Sequence, residues 1–136
     1  FKNDSIMKKL LVLLFSILIL PFSVYASDVY YCSDDGLTGF NPKQNFDQKN
    51  YAPQNFTVMI DFKNEYIISE DIYFSKDIES KCIFEDIASN ALYCISAIGS
   101  AFSINKINLR FIRSVMFNSK NYQDDIGIGY GSCQKF

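Results

Sequence analysis

The chain has 136 residues, four cysteines, no histidine and no tryptophan, with 13 Lys plus Arg against 15 Asp plus Glu and a formal net charge of −2. Lys2, Asp4, Lys8 and Lys9 all precede Ser27, so the part from Ser27 onward holds ten cations against fourteen anions, a net charge of −4. That balance argues against nucleic acid and against an anionic membrane surface as partners, since phosphate binding depends on clustered cationic side chains.

In chain order, Phe1 to Ile6 read as an upstream remnant with no part in the fold. Residues 7–26 have the three zones of a cleaved secretory signal: Lys8 and Lys9 after Met7, an apolar run from Leu10 to Leu20, and Val24-Tyr25-Ala26 with small residues at the cleavage positions. The stretch Leu10 to Val24 is 15 residues long and contains Pro21, short of the ~20 apolar residues of a spanning helix, so no membrane span is expected after cleavage. The expected mature chain, 27–136, has a size at which one domain with one core is affordable.

Val29 to Cys32 read as a first strand. From Ser33 to Asn55 the composition turns to Asp, Gly, Asn, Gln and Lys with Pro42 and Pro53, which predicts a long loop pinned by Phe40, Phe46 and Tyr51 and marks it as a candidate interaction loop. Phe56, Val58, Ile60 and Phe62 alternate with period two, the clearest strand of the chain. Lys63-Asn64-Glu65 predicts a turn and Tyr66 to Ser69 the returning strand. Shorter strand pieces follow at Ile72-Tyr73-Phe74, Phe102 to Ile104, Leu109 to Phe117 and Ile126 to Cys133, about eight in all. The main alternative is one short helix, because Ala88 to Ala97 could also wind as helical turns. Gly127, Gly129 and Gly131 strip one face of the last strand of side chains, which suits sharp curvature or close backbone approach.

Four cysteines in a small exported chain imply disulfides, and no Cys-x-x-Cys spacing supports a metal knuckle. Three pairings are possible. A hairpin of Lys81–Glu85 with Ala91–Ala97 around the loop Asp86–Asn90 sets Cys82 opposite Cys94 and Phe84 opposite Leu92 on one face, which favours Cys82 with Cys94 and leaves Cys32 with Cys133 to tie the first strand to the last.

Catalytic and cofactor motifs are lacking, so the chain is expected to be no enzyme and to need no cofactor. The adjacent carboxylates Asp34-Asp35, Glu70-Asp71, Glu85-Asp86 and Asp124-Asp125 point to opposite sides of a strand and read as solvated turns.

Tyr31-Cys32 near the expected mature start and Gly131-Ser132-Cys133 near the end resemble a class of small exported bacterial proteins with paired cysteines, which brings no function with it. The same clamp, together with Ser96-Ala97-Ile98-Gly99-Ser100-Ala101-Phe102-Ser103, is also similar to periplasmic C-type lysozyme inhibitors of small β-barrel form. Those carry Tyr-x-Cys, a Ser-Ala-x-Gly-x-x-Tyr-Ser stretch that blocks the lysozyme active site, and a terminal cysteine. Here Ser96, Ala97, Gly99 and Ser103 match that stretch and Phe102 replaces its Tyr, while the family's later Trp and Lys-Gly are missing. The resemblance implies a barrel and makes Ser96, Gly99, Phe102 and Ser103 a candidate interaction segment.

The expectation is an all-β domain, either a small antiparallel barrel or a strongly curved sheet. Its expected role is that of a periplasmic or secreted interaction protein with an unidentified protein partner, or else a carrier of a small apolar ligand inside the barrel.

Overall fold

A computed structural model of the chain describes residues 27–41, 44–115 and 126–136. The expected remnant at 1–6, the signal at 7–26, the pair Asp124-Asp125 and positions 116–117 of the eighth expected strand piece lie outside the described residues.

Nine strands follow in chain order: β1 (Asp28–Asn41), β2 (Asp47–Asn50), β3 (Asn55–Asp61), β4 (Tyr66–Ile68), β5 (Ser80–Glu85), β6 (Ala91–Ser96), β7 (Ala101–Asn105), β8 (Arg110–Val115) and β9 (Ile126–Lys135). All pairings are antiparallel, in the order β4-β3-β1-β9-β8-β7-β6-β5, with β2 attached to the far end of β1. The eight strands other than β2 form a nearly closed barrel whose one unsealed seam lies between β4 and β5. Side chains bridge that seam: the Phe84 amide donates to Glu65 Oε1 at 2.9 Å, and the Phe62 and Phe84 rings meet edge to face at 5.7 Å.

Period-two alternation decides which residues enter the barrel. Phe56, Val58 and Ile60 of β3, Leu92 and Cys94 of β6, Phe102 and Ile104 of β7, and Phe111 of β8 all point inward and are buried. The Phe102 and Phe111 rings stack at 5.6 Å with Phe56 edge-on to both, a cluster that adds on the order of 1 kcal/mol per pair beyond its area burial. The β3–β4 turn follows from Asp61, whose carboxylate accepts the Asn64 backbone amide, the Asn64 side-chain amide and the Lys63 backbone amide; those bonds hold it below its ordinary carboxylate range.

Both disulfides form as the strand register requires. Cys82 faces Cys94 across β5 and β6, and Cys32 faces Cys133 across β1 and β9. The second closes a separation of 101 residues and fastens the two ends of the meander side by side.

Three sequence expectations are corrected. The long loop over Ser33–Asn55 is largely strand: β1 runs on to Asn41 and β2 returns along it. A bulge between Asp34 and Gly36 lets β1 change phase, so that Tyr30, Cys32 and Asp34 point inward before it and Leu37 and Gly39 after it. The helix at Ala88–Ala97 does not form, since Ala91–Ser96 is strand and the Glu85 carboxylate takes the amides of Ile87, Ala88 and Ser89 into a capped loop. Ile72-Tyr73-Phe74 is a turn closed by a single bridge from Ser69 to Phe74, with Tyr73 at φ 64°. Among the described residues there is no α-helix, and none long and apolar enough to cross a membrane.

Candidate functional site

The outside of the barrel is chemically two-sided. On β3 the outward residues are Asn55, Thr57, Met59 and Asp61, an ordinary wetted surface. On β5 to β9 they are mostly large and apolar. Register places Ile83, Tyr93, Ser103, Ile112 and Tyr130 directly opposite one another in a single row across five strands. The neighbouring row runs Lys81, Ile95, Ala101, Ser114, Ile128. Ile83 is 68% exposed, Ile95 62% and Ile112 61%, although nothing in an isolated strand's outer face needs isoleucine.

The relief of this face comes from β7. Its outward residues Ala101 and Ser103 are small, and they lie between Tyr93 and Ile95 on one side and Ile112 on the other, so a groove of 220 Å³ runs along them. Two further open grooves adjoin it, one of 470 Å³ past Ile83, Tyr93 and Ile95 and one of 440 Å³ past Tyr93, Ile112 and Tyr130. Tyr130 is held flat because its ring lies over Gly36 of β1, where a Cβ would come within 2.8 Å of Cε1. From β5 to β9 the face measures about 19 Å along the sheet, four strand spacings. Charge sits at its margins, with Lys81 and Glu79 at the β5 side and Arg110, paired with Asp35 at 2.8 Å, at the other end.

The candidate segment Ser96–Ser103 contributes unequally. Ser96 is buried, and its Oγ accepts the Ser100 amide at 3.1 Å while Gly99 turns the chain at φ 89°. Phe102 is 1% exposed, in the core. Ser103 lies at the centre of the apolar face. Of the candidate loop residues, Phe40 and Phe46 are exposed, on outer β1 and in the turn before β2, and Tyr51 is half-buried with its amide donating to Leu37 O at 2.9 Å. Phe40 pairs with Ile126 of β9 and so adjoins the β9 margin of the β5–β9 face, whereas Phe46 and Tyr51 are not in its rows.

The carboxylates separate in the same way. Asp35 is at the surface, Glu85 caps its loop, and Asp71 accepts the Thr57 amide at 3.1 Å. Asp34 departs from the solvated-turn expectation: the bulge in β1 turns it inward, where it is 4% exposed and paired with Arg113. Arg113 Nε donates to Asp34 Oδ1 at 3.0 Å, and Nη2 donates to Asp34 Oδ2 at 2.6 Å and to Gln54 Oε1 at 3.0 Å. The bare faces of Gly129 and Gly131 make this room; a Cβ on Gly129 would stand 3.0 Å from Asp34 Oδ1 and 3.2 Å from Arg113 Nε. Nothing in the spacing of Asp34 and Arg113 announced the pair. The alternating glycines were the one signal that something other than side chains of β9 fills that part of the barrel. Among the described residues no group of three or more acidic or cysteine side chains is gathered in a form that could hold a metal ion.

In comparisons with known proteins, no family model, no curated protein and no solved structure matches the chain.

Proposed function

We propose that the chain is an exported, non-enzymatic binding protein, periplasmic or secreted, that docks a protein partner on the outer face of β5 to β9. The observation that carries this reading is the row Ile83–Tyr93–Ser103–Ile112–Tyr130, in which four large side chains flank the small Ser103 and are left exposed on a barrel with a filled core. An uncharged centre rimmed by Lys81, Glu79 and Arg110 follows the anatomy of protein interfaces, and a face of this breadth suits a folded surface better than a single extended strand. The acidic balance speaks against a membrane surface as the occupant. Two disulfides fit an oxidising compartment outside the cytoplasm, which is where the signal-like segment at 7–26 would deliver the chain.

The carrier reading has less behind it, because the inner positions are filled by Phe74, Phe102, Ile60, Leu92, Ile104 and Val58. A C-type lysozyme as the particular partner draws support from one placement, Ser103 at the centre of the face. Ser103→Arg tests it: loss of inhibition of a C-type lysozyme supports that partner, and an inhibitory wild type matched by the variant removes it.

The wider proposal is tested by photo-crosslinking in the natural host, with a photoreactive residue at Ser103 on the apolar face or at Thr57 on the polar one. A discrete protein adduct from position 103 and none from 57 is expected. Equal labelling from both, or none from 103, overturns it.

A further inference from the structure

On the β1–β9 side lies another pocket, of 270 Å³, lined by Leu37, Tyr51, Gln54, Asp71, Tyr73, Arg113 and Gly127, which shares Arg113 with the 220 Å³ groove along β7. Its floor is unusual. The Arg113 side chain is 4% exposed and Asp34 wholly buried, so the ion pair belongs to the barrel interior rather than to the surface. Phe56 covers one face of the guanidinium at 5.2 Å. Nε and Nη2 are used by Asp34 and Gln54, whereas no described residue accepts from Nη1. Among the described residues the one fully enclosed polar side-chain atom without a partner is Ser100 Oγ, so Nη1 is not sealed in; Arg113 lines both this pocket and the 220 Å³ groove along β7.

We infer that this pocket binds a small, neutral, polyhydroxylated ring, one saccharide unit of a larger or free sugar, through Arg113, Asp71 and Tyr73. Charge decides against an anion. Asp34 already takes both bidentate positions of Arg113, and Asp71 adds a second carboxylate at the rim, so the net charge around the pocket is negative. A neutral hydroxylated ligand fits both remaining polar functions. One of its oxygens accepts from Arg113 Nη1, and one of its hydroxyls donates to Asp71, which spends Oδ2 on the Thr57 amide and keeps Oδ1. Polar functions that open into a pocket without a protein partner are the kind that fix a bound ligand's orientation.

The walls suit a ring with an apolar face. Tyr51 and Tyr73 both line the opening, and Tyr73 is held there at φ 64°, a left-handed conformation rarely adopted by a bulky residue and one that recurs at ligand sites. The bare Gly127 deepens the pocket floor without strain: a Cβ there would meet only Leu37 Cδ1 at 3.7 Å and Thr38 O at 3.8 Å, ordinary contacts. The volume, just below the usual range for small-molecule sites, admits one ring rather than a chain.

The test is NMR titration of the oxidised full chain with neutral mono- and disaccharides, with sulfate and glycine as anionic and zwitterionic comparators. At least one sugar is expected to give saturable shifts at Arg113 Nε, the Gln54 side-chain amide and the Gly127 amide. Tyr73→Ala and Gly127→Ala should each weaken that binding about tenfold, a difference of ~1.4 kcal/mol, with the melting temperature retained. Ile112→Lys, on the apolar face, should leave it unchanged, which separates this site from the docking reading. Stronger binding of sulfate or glycine than of any sugar overturns the ligand class. No shift at these three groups with any sugar at its solubility limit, or shifts that survive both Tyr73→Ala and Gly127→Ala, overturns the site.

Discussion

Asp34 and Arg113, 79 residues apart in the chain, meet inside the barrel through two hydrogen bonds, Nε to Oδ1 at 3.0 Å and Nη2 to Oδ2 at 2.6 Å. Removing one partner leaves a buried charge without compensation, whereas removing both leaves only space to fill. Asp34→Asn should therefore cost about 3 to 5 kcal/mol in urea unfolding. The double variant Asp34→Leu with Arg113→Met should recover most of that loss. A single variant as stable as the wild type would show that the pair contributes nothing that water cannot replace.

The three glycines of β9 should respond to alanine in a fixed order. At Gly131 a Cβ would fall 2.0 Å from Ser33 O and 2.9 Å from Asp34 Cα, both backbone atoms that cannot yield. At Gly129 it would press on Asp34 Oδ1 and Arg113 Nε, and at Gly127 it meets only ordinary contacts. Overpacking costs about 1 to 3 kcal/mol, so Gly131→Ala should lie at or above the top of that range, Gly129→Ala within it, and Gly127→Ala near zero. Equal values at the three sites in thermal unfolding would contradict the packing described for Asp34 and Arg113.

How much of this was legible in the sequence differs between residues. The hairpin around Cys82 and Cys94 could be read because apolar and cysteine positions share one period-two face and the loop between them is short. Phe56 to Phe62 was legible for the same reason. β1 beyond Ser33 was not, because Asp34, Gly36 and Gly39 have low strand propensity and their pairing is imposed by β9, nearly a hundred residues later. The buried Asp34 could not be found locally, since its partners Gln54 and Arg113 come from other parts of the chain. The apolar face was hidden by its own regularity. Ile83, Tyr93 and Ile112 are indistinguishable from core residues until the register shows which side of the sheet they occupy.

The two disulfides should contribute unequally. In the chain-entropy treatment the link between Cys32 and Cys133, separated by 101 residues, is worth about 5 kcal/mol, and that between Cys82 and Cys94, separated by 12, about 3 kcal/mol. Paired Cys→Ser variants measured in urea should follow that order. The reverse order would mean that the seam-side hairpin, rather than the union of β1 with β9, limits the barrel.

Glu85 makes stability depend on pH in the acid range. Amide donation from Ala88, then from Ser89, and the Ser89 hydroxyl hold its carboxyl at about 2, below the ordinary 4.5. A folded value below the unfolded one adds stability that is complete above about pH 4.5 and fades as the pH falls toward 2. The difference in urea midpoint between wild type and Glu85→Gln should therefore be constant above pH 4.5 and shrink to nothing near pH 2. A difference independent of pH would show that the capped loop at 86–90 does not depend on the charge.

The claim that the β5–β9 face serves binding and not folding is tested most directly by Ile112→Lys, read for stability and for adduct formation in one experiment. Ile112 points outward, next to Ser103 in the row, so the substitution should leave unfolding within about 0.5 kcal/mol of the wild type. It should also cut the yield of the crosslink from position 103 about tenfold or more, the effect of ~1.4 kcal/mol or more at the interface. An unchanged adduct on an equally stable barrel would contradict the assignment of this face as the docking surface.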